Sequence, residues 1–488
     1  MSVSRSRRVR ASAACAAAAL LAACVAGPDY RKPELELPVT WKVDAPWRES
    51  RPDDAAPKGP WWQRFGDAQL DALAEQALAN SPSLALAEAR LAQSRAVLAA
   101  TAAAVLPQLG LGARAARLQT SANRPLSSYT SPNFSTVQND LVLAMSVSYE
   151  FDLAGRLKRS IEGAGASLEQ SAADLENTRL LLTTDLATSY YNLRALDIEL
   201  DVLDRAIALL GRALELVQAR YDLGAATGLD VAQQQALLDT TLVQVDLLKR
   251  QRDQFEHAIA TLVGVAAPTF TLAPDPRELM PPAVPLGVPS DVLERRPDIA
   301  SAERAMAAAN AQIGVATAAF YPSVTLSPTL YGVESRSLST LLDASSVLWS
   351  LGVSATQVLF DNGRLKAGVE FSRAGHAAAI ANYRRVVLGA MQEAEDGITG
   401  LAALERASAQ ARTAVATARR VLEMATARYE GGASGYLDVI TAQQALLNNA
   451  RQVAQLDGQR MLTSVFLVKA LGGDWQRELP ANASRSGE

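Results

Sequence analysis

Short signatures recur along this chain at a constant separation. Gly155-Arg156 returns as Gly363-Arg364, Arg220-Tyr221 as Arg428-Tyr429, Leu229-Asp230-Val231 as Leu437-Asp438-Val439 and Gly264 as Gly472, each pair 208 residues apart. Upstream, Pro82 matches Pro297 and Leu106-Pro107 matches Tyr321-Pro322 at a separation of 215. A spacing held this long marks a duplicated unit, whose copies bury their apolar faces against one another. The change of spacing falls between Pro107 and Gly155, so the first copy carries the longer connection there. A proline-rich stretch, 265–297, separates the copies and reads as a non-helical connector.

Each copy reads as helix, strand pair, very long helix, turn and return helix. Alternating steps of four and three from Leu168 to Tyr221 meet fourteen apolar positions out of sixteen, a sustained 3.5-residue seam. Such a helix runs roughly 80 Å at about 1.5 Å per residue, longer than any globular core. The second copy repeats the seam from His376 through Tyr383, Val387, Leu401, Leu404, Val415 and Leu422 to Tyr429, with more alanine. The pattern predicts long helices over 158–222 and 366–430 and return helices over 227–263 and 434–471. Lead helices are expected from Asp67 to Val105 and from Asp298 to Ala319. The first repeat thus occupies 67–264 and the second 298–473, with a tail over 474–488.

Between lead and long helix the period changes to two. Leu141, Leu143, Met145, Val147, Tyr149 and Phe151 alternate with Asp140, Ala144, Ser146, Ser148 and Glu150, the apolar-out, polar-in dyad of a membrane barrel strand. Strands are expected over 109–118, 137–151, 324–331 and 347–359, joined within each pair by Ser-rich polar linkers. Period-two alternation also occurs in half-exposed soluble sheets. Four strands alone have two open edges, which lipid does not tolerate, so several chains must pool their strands.

The chain begins with an export signal. Arg5, Arg7, Arg8 and Arg10 precede an apolar run that ends at Ala23, too short to span a bilayer as a mature helix. Leu21-Ala22-Ala23-Cys24 resembles the lipobox of bacterial lipoproteins, which assigns 1–23 to a signal peptide, Cys24 to acylation and 24–66 to a lipid-anchored segment. Val25 in place of Asp favours outer membrane delivery, by analogy with lipoprotein sorting.

Composition removes other classes. Cys15 lies in the signal, so one cysteine remains and no internal disulfide can form; two histidines, His257 and His376, make no zinc motif. A formal charge of −4 gives no basic face for nucleic acid, and 49% apolar content argues against disorder. Gly163 and Gly165 lie in a helical stretch and form no phosphate loop. Phe360-Asp361-Asn362-Gly363-Arg364 has a twin at Phe151 to Arg156, which marks it as a strand-to-helix junction rather than an enzyme loop. The expectation is a non-enzyme with no metal and no cofactor beyond lipid on Cys24.

These residues resemble the TolC-like outer membrane efflux factors, in their NodT-type lipoprotein branch. The likeness is carried by Gly27-Pro28-Asp29-Tyr30 after Cys24, Trp61-Trp62, Tyr149-Glu150-Phe151-Asp152-Leu153 and Glu294-Arg295-Arg296-Pro297-Asp298-Ile299. Asn310-Ala311-Gln312-Ile313-Gly314-Val315, Phe320-Tyr321-Pro322-Ser323 and Ala470-Leu471-Gly472-Gly473-Asp474-Trp475 continue it. The resemblance implies a mainly α protein with membrane β structure: a homotrimer whose twelve strands, four per chain, form a β-barrel in the outer membrane, continued by an α-barrel reaching far into the periplasm. It implies the exit duct of a tripartite efflux pump, joined by a periplasmic adaptor to an inner membrane RND-type transporter. A lipid-anchored coiled-coil scaffold without a pore, and the duct of a type I secretion system, remain alternatives.

The resemblance also places a gate at the helix-to-helix turns. Gly224, Gly228, Gly431, Gly432 and Gly435 would form adaptor-contacting tips. Asp230 would hydrogen-bond Tyr429 to hold the tip closed. Asp438 would repeat around the threefold axis, with Thr441 where a second acidic ring is common, giving a less acidic constriction. Asp230 and Asp438 are equally readable as charges complementing a helix N-terminus. Arg220 and Arg428 are read as surface or intersubunit residues rather than gate elements.

Overall fold

The computed structural model describes residues 25–32, 59–121, 136–282 and 295–473. The signal segment, Cys24, most of the anchored segment before Trp61, the linker within the first strand pair, part of the connector and the tail lie outside these residues. In chain order the elements are α1 (Ala68–Asn80), α2 (Pro82–Ala103), β1 (Gln108–Thr120), β2 (Thr136–Phe151), α3 (Arg156–Asp222), α4 (Gly228–Leu262) and α5 (Pro297–Ala318). They continue with β3 (Ser323–Leu326), β4 (Thr329–Ser335), β5 (Val347–Ser350), β6 (Val353–Thr356), α6 (Arg364–Glu430) and α7 (Tyr436–Ala470). The duplication is exact in helix length: α3 and α6 have 67 residues each, α4 and α7 have 35. The chain divides into two compact units, each drawing on both copies. One takes Met1–Pro33, Arg90–Ser171 and Ser301–Tyr383, the other Glu34–Ala89, Ala172–Ala300 and Arg384–Glu488.

The first unit holds every strand. β1 and β2 pair antiparallel from Gln108↔Ser148 to Thr120↔Thr136. β2 then pairs with β3 near Phe151 and with β4 from Leu141 to Ser146, while β6 adds to β3 and β5 to β4. The result is four strand paths in antiparallel order, the last two interrupted. Continuous strands over 324–331 and 347–359 were expected, and the structure breaks both. Pro328 has no N–H for a ladder, and its carbonyl accepts from Val147 N–H at 2.9 Å; across the break Ser327 N–H donates to Gly352 O at 2.9 Å. On the fourth path the apolar face stays on odd positions across the break, from Val347 to Val353, whereas on the third it slips by one residue, from Val324 and Leu326 to Tyr331 and Val333.

Both long helices start two residues before the expected positions, because an aspartate upstream captures free N–H groups of the first turn. Asp152 accepts from Leu157 at 3.0 Å and Lys158 at 2.8 Å; Asp361 accepts from Gly363 at 3.0 Å and Leu365 at 2.8 Å.

The second unit contains the main apolar core, in which Leu70, Leu186, Tyr190, Leu193, Ile259 and Val465 are fully buried. Each such side chain contributes about 1.5–3 kcal/mol relative to exposure. Asp67 caps α1 through Oδ1, which accepts from Gln69 N–H at 3.0 Å, while its Oδ2 accepts from the Tyr190 hydroxyl at 2.7 Å. The expected single lead helix is two helices, since Pro82 forces Ser81 into an extended conformation and is itself favourable as a first helical residue. Beside this core runs a buried ionic network. The Arg194 and Asp197 side chains are 1% and 0% exposed. Arg194 Nη1 donates to Asp197 Oδ2 at 2.6 Å and to Ala273 O at 2.8 Å, and Arg252 Nε donates to Asp197 Oδ1 at 2.7 Å. Arg252 Nη2 also donates to Leu272 O at 2.6 Å, so the network holds the connector against α3 and α4.

Candidate functional site

Two regions carry functional geometry, one in each unit. In the strand unit, register sorts side chains by polarity. Leu109 faces Val147, Leu111 faces Met145, which in turn faces Tyr331, and Leu143 faces Val333, which faces Val347. These positions share one face of all four paths. Its two flanks are strongly exposed, with Leu111 at 75% and Trp349 at 74%, while Val333 between them is buried. The opposite face carries Arg114, ion-paired with Asp140, and Glu334. Among the described residues, neither the outer edge of β1 nor that of β5 and β6 has a strand partner. An apolar face on one side, charges on the other and two open edges describe a piece of a barrel wall. Among the described residues no helix is long and apolar enough to cross a membrane.

In the second unit, the turn between α3 and α4 and the turn between α6 and α7 share one backbone design. Gly224 and Gly432 have φ of 73° and 70°, the left-handed conformation that closes a helix C-terminus. Ala225 N–H returns to Arg220 O at 2.7 Å and Ala433 N–H to Arg428 O at 2.8 Å. Of the five tip glycines, only these two have a positive φ. The side-chain caps differ. Thr227 Oγ1 accepts from Asp230 N–H at 3.2 Å while Asp230 Oδ2 accepts from Thr227 N–H at 2.9 Å, a reciprocal capping box. Gly435 stands where Thr227 stands in the first turn and provides no side-chain cap. Asp438 is exposed; its backbone N–H donates to Gly435 O at 3.3 Å, but its carboxylate has no hydrogen bond or ion pair among the described residues. Thr441, also exposed, turns its hydroxyl back to Leu437 O at 2.8 Å.

The expected hydrogen bond between Asp230 and Tyr429 is not formed. Asp230 is held by its own cap, and the Tyr429 hydroxyl is buried without a partner. Instead the Tyr429 ring lies between two groups: the Arg220 guanidinium carbon is 4.7 Å from its centroid, and the Tyr436 ring is 4.9 Å away on a tilted axis. Arg220, read from sequence as a surface or intersubunit residue rather than a gate element, packs within this cluster. The Tyr436 hydroxyl donates to Gln234 Oε1 at 2.9 Å and Gln234 Nε2 donates to Leu210 O at 3.0 Å, linking α7 to α4 and α3. Burial, with Tyr429 and Asp230 adding, pushes the Tyr436 hydroxyl up to about 12. Val217, Val439 and Ile440 complete an apolar plug around these rings. Gln234 and Tyr436 had no distinguishing signal in the sequence; the Thr-x-x-Asp pattern at Thr227 did. Among the described residues no group of His, Cys, Asp and Glu is placed to hold a metal ion.

Comparison with known proteins finds the same design. A family profile described as outer membrane efflux protein matches residues 73–265 and 288–473, one match to each repeat. The pyoverdine export outer membrane protein OpmQ of Pseudomonas aeruginosa is 32% identical over 462 residues, covering 94% of this chain and 96% of its own. The toluene efflux pump outer membrane protein TtgF of Pseudomonas putida is 30% identical, covering 93% and 95%. The solved outer-membrane channel OprN superposes with a TM-score of 0.84 at 29% identity, over 93% of this chain and all of that one.

Proposed function

Since the chain belongs to the outer membrane efflux protein family, and is an outer membrane efflux channel, we propose that three copies close one barrel and serve as the passive exit duct of a tripartite pump. The observation that carries this reading is the four-path sheet with one apolar face and two unpaired edges. Two copies would close eight strands, and a barrel of about eight strands is filled by its own side chains. Three copies are the smallest closed set that leaves a bore. A periplasmic adaptor would bind at the glycine turns, around Gly224, Gly228, Gly431, Gly432 and Gly435, and connect the duct to an RND-type inner membrane transporter. Acylation of Cys24 adds a lipid anchor at the same membrane.

The gate in this reading is the cluster that packs the second hairpin on the first. Arg220, Tyr429 and Tyr436 hold α6 and α7 against α3 and α4, and opening the tip requires parting them. Asp438, left without a cap, contributes one carboxylate per chain toward the axis. Three such charges favour cations, and Thr441 leaves them without a second ring. Planar-bilayer recording tests the duct directly. Purified protein should conduct in discrete single-channel steps that rise in size for Arg220→Ala; a wild-type protein that inserts without conducting would remove the duct.

A further inference from the structure

The two hairpins, α3–α4 and α6–α7, pack through two apolar clusters that leave a space between them. Toward the turns lies the plug of Val217, Tyr436, Val439 and Ile440, which Leu422 joins; farther along lie Leu203, Val245, Leu248 and Leu447. Between the clusters the four helices leave a cavity of about 340 Å³, bounded by Leu422 at one end and Leu447 at the other. That volume falls within the roughly 300–1,000 Å³ that small-molecule sites occupy. Ala206 on α3, Leu237 on α4, Val415 on α6 and Ala450 on α7 each line it. So does Leu210, whose carbonyl accepts the Gln234 hydrogen bond of the plug at 3.0 Å. The cavity exists only while the hairpins stay together.

Three departures from the repeat meet there. In the first copy Gln235 donates to Asp239 at 2.8 Å. In the second, Leu447 stands where Asp239 stands, and Gln443 on the cavity wall is left with its Oε1 buried and without a partner. Leu242 of the first copy corresponds to Ala450, which withdraws bulk from the wall. Gly211 corresponds to Arg419, an exposed lining residue whose guanidinium has no hydrogen bond or ion pair among the described residues. Arg205, the other cation at the cavity, is already paired with Asp201. An acceptor out of water and without a donor is unfavourable, so the Gln443 amide gains a bond by turning to a donor placed in the cavity. A guanidinium without a counter-charge takes a carboxylate in a strong, often bidentate geometry. Apolar walls, one available cation and one unsatisfied acceptor together specify an amphipathic acid.

We propose that this cavity binds a medium-chain carboxylate that also carries a hydroxyl or N–H donor, with its carboxylate on Arg419, its donor on Gln443 and its chain along the apolar walls, and that this binding holds the two hairpins together. The clamp rests on the reading of the tip as a gate. A ligand that touches all four helices binds the joined hairpins and loses its site when they part. It therefore shifts the population toward the closed tip by its difference in affinity for the two states.

Isothermal titration of the full-length protein in amphipol with 10-hydroxydecanoate, kept below its micelle concentration, tests the site; planar-bilayer recording with the same probe tests the clamp. One saturable site per chain is expected. Arg419→Ala should weaken it by about tenfold or more, the weight of a charge-assisted hydrogen bond. Gln443→Leu should weaken 10-hydroxydecanoate by about fivefold and leave decanoate, which lacks the hydroxyl, unchanged. Ala450→Leu, which restores the first copy's side chain, should fill the space and abolish binding. Arg419→Ala changes an exposed position and keeps the titration readable if Ala450→Leu fails to fold. In bilayers the probe should lower the single-channel step of the wild type and leave that of Ala450→Leu unchanged. Heat that does not saturate, or equal affinity in wild type, Arg419→Ala and Ala450→Leu, would make the uptake nonspecific and overturn the site. Saturable binding that leaves a conducting wild type unaffected would overturn the clamp. Protein that conducts nothing before the probe is added would remove the duct itself, an outcome the first recording identifies while the titration still decides the site.

Discussion

The first helix-to-helix turn is closed by the reciprocal cap between Thr227 and Asp230, while the second has Gly435 at the corresponding place and leaves Asp438 free. The strand-to-helix junctions differ in the same manner: the Arg159 side chain donates to Ala26 O, Gly27 O and Asp29, where Ala367 has only a methyl group. A third difference lies beside the core. Arg194, Asp197, Arg252 and Glu256 form a buried network in the first copy; the corresponding second-copy residues are Ala402, Glu405, Arg460 and Ser464. Backbone design is common to both copies, down to helix length and the left-handed glycines. Side-chain chemistry is divided between them. Duplication supplies the wall of the duct, and departures from the repeat mark what only one copy does: a buried ionic brace in the first, an uncapped charge at the tip in the second.

The largest expected effect separates the two arginines related by the repeat. Arg252→Ala leaves the buried Asp197 with Arg194 and the Asp275 N–H on Oδ2 but nothing on Oδ1, at a cost of about 3–5 kcal/mol. Arg460→Ala removes a long 3.4 Å contact to Asp457, whose carboxylate keeps Ser408 at 2.6 Å and Arg412 at 2.8 Å, and should cost less, about 1 kcal/mol. Thermal unfolding followed by circular dichroism compares them, and equal losses would erase the distinction between copies.

The caps come next. Thr227→Ala should destabilise the first hairpin by about 1 kcal/mol. Gly435→Thr should do the reverse in the second by a few tenths. That second change would also draw Asp438 into a cap. Cation selectivity measured from reversal potentials should therefore fall in Gly435→Thr, as it should in Asp438→Asn. Selectivity unchanged in both would remove Asp438 from the axis.

Smaller effects sharpen the gate. Tyr429→Phe deletes a hydroxyl that is buried and has no partner among the described residues, so stability and conductance should both stay near wild type. Arg220→Ala removes a cation held over the same ring, worth about 0.5–1 kcal/mol, and should enlarge the single-channel step. Tyr436 gives a pH signature. Its hydroxyl stays protonated in the folded tip up to about 12 against an ordinary 10.0, so the unfolded chain releases the proton first. Stability from this group is full below pH 10 and is lost as pH rises from 10 toward 12. Tyr436→Phe should lose that dependence in alkaline unfolding curves.

These outcomes follow how the sequence could be read. The ends of the long and return helices were legible to within two residues because the 3.5-residue seam is a local, repeated signal, and the apolar face of β2 followed from alternation. The break at Gly352 leaves the alternation intact and so is hidden, whereas at Pro328 both the proline and a one-residue slip of the apolar positions, from Leu326 to Tyr331, are present in the sequence. The bond from Asp230 to Tyr429 came from resemblance and is absent because a nearer partner, Thr227, takes the carboxylate. Arg220 and the Arg194 network were hidden for another reason: a charge on a helix reads as solvated until the helices packed around it are known.

The central claim is that one chain supplies four of twelve strands and three chains close the wall. Native mass spectrometry of the folded protein, extracted from outer membranes in mild detergent, tests it most directly. The account predicts a species of three chains that persists until heat denaturation, and a folded monomer as the dominant species would contradict it.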